Sequence, residues 1–281
     1  MGIKLSTESA IVVPELYRSR FGVHVLPLHI LYGEESFDDA VTINVEGMLA
    51  RYRETNELPT TSACSIGEYA AYFGALTEDG SEVVHFSMSS GVSSTYRNAC
   101  IAAQEFPGVS VVDTQSLTSG GGLLLVKAGE LMQTGFSAKE IVRRTEEAKR
   151  RVRVSFMVDS LTFMRKGGRC SALAAFGANI LGIRPSIEIR NGTMDVAKKF
   201  RGKYESCLLK YVDDLFAGAG RPDESRVWIE YTPGVTPEQL DAVKKEIKKF
   251  CKFEEVLELP TTSTIFAHAG PGTVGVMFME A

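Results

Sequence analysis

Apolar and polar positions along this chain follow two different rhythms. In the first half, short apolar blocks alternate with helical stretches. Residues 23–31 form an apolar run interrupted by Pro27, which predicts a strand with an edge or a bend. Residues 42–53 have helical composition, 82–86 read as a short β-prone strand, and 96–105 read as a helix. Residues 109–112 predict another buried strand, leading through a Ser-, Thr- and Gly-rich loop at 113–122 into a helix ending near Met132. Alternation of this kind favours a parallel sheet with helices on both faces. Gly135 then ends that helix, and Ser137 with Glu140 forms a capping-box pair that opens the next one. On that helix Glu146/Arg150 and Glu147/Arg151 stand four apart, so the basic cluster 143–153 reads as a solvated, ion-paired face.

The second half reads as mixed strands and helices. Residues 154–158 predict a strand, and 186–190 with 193–197 flank Asn191-Gly192, a strong hairpin signal. A strand at 227–231 precedes a helix opened by Thr236-Pro237-Glu238-Gln239, with apolar residues at 240, 243, 247 and 250 and lysines on the opposite face. Strands at 256–259 and 274–279 complete the pattern. The expected fold is therefore an N-terminal α/β domain with a parallel sheet, residues 1–153, followed by an α+β domain with a mixed sheet, residues 154–281.

Composition narrows the function. A net charge of −4 provides no global basic field, so a nucleic-acid partner is not expected. The five cysteines are scattered and form no CxxC, which argues against a disulfide framework or a structural zinc site. Free thiols and the lack of a signal-peptide pattern at the start suit the cytoplasm. The longest nearly apolar run, 172–183, contains Asn179 and falls well short of the ~20 residues that span a bilayer, so no stable membrane insertion is expected. Glycine is in excess, 26 of 281 residues, and calls for an explanation in particular loops.

Four polar segments carry the candidate chemistry: residues 60–65, 89–96, 166–169 and 267–272. The second follows a strand, precedes a helix, and places five hydroxyls in the seven positions from Ser89 to Thr95. Ligands in parallel sheets bind beyond the carboxyl ends of strands, and a helix N-terminus suits an anion. The alternative is that these serines merely cap the helix. Arg169, after two glycines, could clamp an anion or cap a helix end. His268 lies in a Gly- and Pro-rich turn, whereas His24, His29 and His85 lie in strand-like runs and read as sheet residues. There is no P-loop, no GxSxG elbow and no metal-ligand spacing, and Gly120-Gly121-Gly122 is weak evidence for a dinucleotide.

In this order and spacing, the segments resemble the DegV family of fatty-acid-binding proteins, whose bacterial members include the binding subunit of fatty acid kinase. Residues 25–30 and 33–39 look like the family's early strand and loop. Thr61-Ser62 matches its Thr-Ser motif, and Ser89 to Tyr96 its Ser-Ser-Gly-x-Ser-x-Thr-Tyr signature. Lys166-Gly167-Gly168-Arg169 with 172–185 resembles its Gly-Gly-Arg helix and Pro-led strand, and His268-Ala269-Gly270-Pro271-Gly272 its final turn. Two departures stand out. Ser6-Thr7-Glu8-Ser9 replaces the opening Thr-Asp-Ser, and Cys64 stands where the family usually has proline.

The resemblance implies a two-domain protein holding one long-chain fatty acid between its domains. It implies carboxylate binding by Thr61, Ser62 and Ser93, with Arg169 and His268 in the network, and no cofactor or metal. Leu173, Phe176, Ile180 and Leu181 could line the acyl tunnel or be ordinary core. The glycines at 91, 120–122, 167, 168, 270 and 272 would face the head group, and those at 177 and 182 would allow close approach to the ligand. Burying ~14 methylenes at about 0.8 kcal/mol each would contribute roughly 11 kcal/mol gross. The chain itself would not be an enzyme. It would present the carboxylate to a separate ATP-dependent kinase, on the way to phospholipid synthesis, with Arg201 and Lys203 as either partner contacts or a plain solvated loop. The alternatives are an acyl-ester or thioester hydrolase using Cys64 or Ser93 with His268, and a general anion-binding regulator.

Overall fold

The computed structural model describes residues 2–170 and 182–281. The first half runs β1 (Ile3–Glu8), α1 (Glu15–Phe21), β2 (His24–Leu26), β3 (His29–Tyr32), β4 (Glu35–Asp38), α2 (Val45–Thr55), β5 (Thr60–Ser62) and α3 (Ile66–Thr77). It continues with β6 (Glu82–Ser87), α4 (Thr95–Ala103), β7 (Val109–Asp113), α5 (Thr118–Gln133), α6 (Ala138–Ala148) and a 3-10 turn (Lys149–Arg151). The second half runs β8 (Val152–Met157), α7 (Thr162–Gly167), β9 (Ile183–Arg190), β10 (Thr193–Arg201) and α8 (Tyr204–Gly218). It ends with β11 (Pro222–Tyr231), α9 (Pro237–Ile247), β12 (Glu255–Pro260), α10 (Ser263–Ala269) and β13 (Val274–Glu280).

Among the described residues the strands form three sheets. One is all parallel, in the order β2-β1-β6-β7, and β6 is buried along nearly its whole length because helices cover both faces. The second is mixed, in the order β10-β9-β8-β13-β11-β12. These are the expected α/β sandwich and mixed-sheet parts. The third, antiparallel β4-β3-β5, is not legible as such in the sequence. Pro27 explains why: instead of bending one strand, it separates β2, which joins the parallel sheet, from β3, which joins the small one. The predicted hairpin forms, with Asn191 at φ 50° and Gly192 at φ 82°. Thr236 and Gln239 form a full capping box.

Helix α5 joins the two large sheets. It packs on β1 and β6 on one side and on β8 and β13 on the other. Its glycines make this possible. A Cβ on Gly122 would stand 2.0 Å from the Val12 carbonyl oxygen, and one on Gly121 2.3 Å from Ile11 Cδ1. One on Gly120 would meet Val154 at 2.2 Å. Residues 120–122 therefore belong to a buried helix, not to a loop facing a ligand. A single apolar core runs through this contact, from Leu5 and Val84 through Leu124 to Phe156, Trp228 and Met277. A second core lies under α8 and α9, and a third joins the small sheet and α2 to Phe163 and Phe266.

The ion pairs on α6 also differ from expectation. The helix ends at Ala148, so the tighter turn carries Arg150 and Arg151 off its face. Glu147 pairs with Arg143 instead, and Glu146 with Lys149 at 2.6 Å. No helix among the described residues is long and apolar enough to cross a membrane.

The α5 wedge generates a stability prediction. Gly122→Ala gains helix propensity of about 1 kcal/mol but overpacks the Val12 carbonyl and Trp228. Urea unfolding is expected to show a net loss of about 1–3 kcal/mol, and a more stable variant would contradict the close approach.

Candidate functional site

A cavity of about 450 Å³ opens where the carboxyl-terminal loops of the parallel sheet meet the mixed sheet. This lies within the ~300–1,000 Å³ range of sites for small organic ligands. Thr61, Ser62, Ser93, Arg169 and His268, the five residues expected from the sequence, all line it. Thr61 and Ser62 end β5, while Ser93 lies in the turn between β6 and α4. Arg169 follows α7, and His268 occupies the last turn of α10, a short helix where the sequence suggested only a turn.

Thr61 Oγ1 and His268 Nε2 are 2.8 Å apart, joining the two halves of the chain by one hydrogen bond. Gly167 exists for this histidine, since a Cβ there would stand 2.2 Å from His268 Nδ1. Gly168 then takes φ 65° and closes α7 with a left-handed cap, after which the chain delivers Arg169 to the cavity. Two adjacent glycines thus have separate jobs, clearance and reversal. Arg169 Nη1 donates to the Gly167 carbonyl at 2.6 Å and remains exposed. Among the described lining residues, it carries the positive charge.

His268 is partly open to the cavity, but its Nδ1 is buried and has no hydrogen-bond partner among the described residues. Burial, and then the Arg169 guanidinium, push its pKa down to about 4. At neutral pH the ring is therefore uncharged, and it orients the Thr61 hydroxyl rather than supplying a cation.

The Ser89–Thr95 segment has more than one task. Ser89 Oγ donates to the Gly192 carbonyl at 2.6 Å, fastening the segment to the hairpin turn. Ser90 Oγ donates to Asp113 at 2.6 Å, and Ser93 Oγ accepts from the Thr95 N–H at 3.3 Å. Ser94, the N-cap of α4, makes no side-chain cap bond, so Ser93 takes the first N–H of the helix and also lines the cavity.

Three contributions lie outside the sequence reading. Asp39, fully buried, accepts from the N–H groups of Ser263 (3.0 Å) and Thr264 (3.1 Å) and from Thr264 Oγ1 at 2.7 Å. It caps α10 from 224 residues away and so positions His268. Glu230 lines the cavity from β11 and accepts from Thr118 Oγ1, from Ser119 Oγ at 2.5 Å and from Thr261 Oγ1 at 2.8 Å. Burial pushes its carboxyl up, against the opposing pull of those donors. Finally, Met88, Met164, Met194 and Met277 supply much of the apolar wall, with side chains that adapt to an irregular ligand. Their signal is absent from the sequence because they sit in four unrelated elements. Leu173, Phe176, Ile180, Leu181 and Gly177 lie outside the described residues.

Cys64 does not line the cavity. Its thiol is fully buried, donates to the Pro27 carbonyl at 3.1 Å and is pushed up to about 12, by burial first and then by nearby carboxylates. His268 hydrogen-bonds Thr61, neither Cys64 nor Ser93. Arg201 and Lys203 are exposed beside the hairpin.

A family model described as "Uncharacterised protein, DegV family" matches residues 2–281. A DegV domain-containing protein of Deinococcus radiodurans is 30% identical over 277 residues, covering 98% of each chain. A solved structure from Thermus thermophilus, described as fatty acid binding of a DegV family protein, superposes with a TM-score of 0.86 at 29% identity, covering 100% of both chains. DegV of Bacillus subtilis, described as a fatty acid binding protein, superposes with a TM-score of 0.84 at 26% identity, again over 100% of both chains.

The depressed His268 pKa makes a pH prediction. Between about pH 6.5 and 4 the unfolded chain binds a proton that the folded chain refuses, so stability falls as pH falls through that window. At about 1.4 kcal/mol per unit the loss is roughly 2–3 kcal/mol. Chemical denaturation of wild type and His268→Gln across this window should give a stability difference that changes with pH. A constant difference would show that the ring is not held neutral.

Proposed function

The chain belongs to the DegV family, and on that premise we propose that it binds one long-chain fatty acid in this cavity. Thr61, Ser62 and Ser93 donate to the carboxylate, Arg169 supplies the charge, and neutral His268 orients Thr61. The observation that carries this reading is the convergence of these five residues on one cavity whose remaining wall is largely apolar. The two fatty-acid-binding relatives described above support the ligand class. A carboxylate held by hydroxyls and one guanidinium loses its water for charge-assisted bonds, while the acyl chain is removed from water along the apolar wall.

The resemblance supports a further step. The chain acts in the cytoplasm as a carrier rather than an enzyme, with residues 1–153 and 154–281 as domains on either side of the lipid. A separate ATP-dependent kinase takes the presented carboxylate and forms an acyl phosphate for phospholipid synthesis. Exposed Ser62 and Arg169 are consistent with a head group reachable from outside. The hydrolase reading is weakly supported, because Cys64 is sealed away and His268 engages Thr61.

Ser93→Ala is expected to weaken palmitate binding by about 1–3 kcal/mol in an equilibrium titration. Unchanged affinity in a folded variant would remove Ser93 from the head-group site. Turnover of an acyl ester by the chain alone, abolished by His268→Ala, would favour the hydrolase instead.

A further inference from the structure

Where β3, β5 and the start of α3 meet, the fold assembles three donors that sequence spacing does not reveal. His29, Cys64 and Glu68 each offer a ligand atom, and the nitrogen, sulfur and oxygen atoms all lie within 4.8 Å of one another. The strand register is what brings His29 in, since it pairs with Ser62 across β3 and β5, two residues before Cys64. Glu68 arrives through the capping box of α3, where its Oε2 accepts from the Ser65 N–H at 2.7 Å.

We infer that His29, Cys64 and Glu68 form a binding site for a thiophilic divalent cation of the zinc class. An imidazole, a thiolate and a carboxylate suit such an ion, with water completing a tetrahedron. Bonds of about 2.0–2.3 Å hold tetrahedral ligand atoms about 3.3–3.8 Å apart, so the hydrogen-bonded His29 Nε2–Glu68 Oε1 pair, 2.8 Å apart, must open by about 0.5 Å, and closure on the sulfur needs a shift of up to about 1 Å. The exposed Glu68 side chain can supply it. Cys64 is fixed from its other side by Asn98, whose Nδ2 donates to the Cys64 carbonyl at 2.8 Å.

A second observation concerns His29. Its Nδ1 lies 3.1 Å from Asp38 Oδ1 and its Nε2 2.8 Å from Glu68 Oε1. Each ring nitrogen thus faces a carboxylate, and a cation bound at Nε2 would take the place of the proton shared with Glu68. The Asp38–His29 contact is also the outer-shell pairing that fixes the tautomer of metal-binding histidines. On binding, the Cys64 S–H proton leaves to solvent and a sulfur–metal bond replaces it.

The site ties β3, the end of β5 and the start of α3 together beside Ser62, next to a three-residue edge strand. It goes beyond the lipid reading, and its test uses metal alone, so the two can fail separately. The full reduced chain is titrated with Co2+, as a spectroscopic stand-in, and then with Zn2+ in competition. The expected result is one Co2+ per chain, a thiolate-to-cobalt charge-transfer band, and displacement by Zn2+. Cys64→Ser should abolish the band, while a Cys100→Ser/Cys251→Ser double variant should keep it. Asp38→Asn should weaken affinity about 10–100-fold with the band retained. Should Cys64→Ser fail to fold, His29→Gln and Glu68→Gln provide the same test and should each weaken binding at least tenfold. A band that survives Cys64→Ser, affinity unchanged in both His29→Gln and Glu68→Gln, or no stoichiometric Co2+ binding would overturn the inference.

Discussion

The structure depends on how closely α5 can approach two sheets at once. A helix wedged between sheets normally keeps side chains on both faces. Here three consecutive glycines remove them at the start of the helix, and its backbone closes on Ile11 and Val12 of the first half and on Val154 and Trp228 of the second. The same helix start holds the Glu230 carboxylate of β11 through Thr118, Ser119 and the Ser119 N–H. Because the sheets are pinned there, the loops beyond the parallel strands face the mixed sheet across a fixed gap. The cavity is that gap, and Thr61 and His268 bridge it with one hydrogen bond.

Much of this order was legible in the chain. The alternation of apolar runs and helical stretches carried the parallel sheet, and Asn191-Gly192 and the Thr236 capping box carried the hairpin and α9. Local signals were misread where tertiary context decided. Pro27 marks a change of sheet, which periodicity cannot distinguish from a bend. Gly120–Gly122 looked like a loop because glycine is a poor helix former, yet steric clearance outweighed propensity.

The candidate site divides the same way. Its five polar residues lie in short, unusual segments, and those are visible in one dimension. Asp39, Glu230 and the methionine wall are single residues in ordinary surroundings, and only packing gives them a role. His29 is a plainer case still. As a strand residue it carries no signal, and the β3–β5 register alone sets it beside Cys64 and Glu68. Chemistry that depends on pairing between strands stays hidden until the pairing is known.

What occupies the cavity decides whether this chain is a lipid carrier. Lipid extraction of the denatured, purified protein followed by mass spectrometry measures this directly. The account predicts one long-chain fatty acid per chain. A chain that emerges free of lipid and does not take up added palmitate would contradict it.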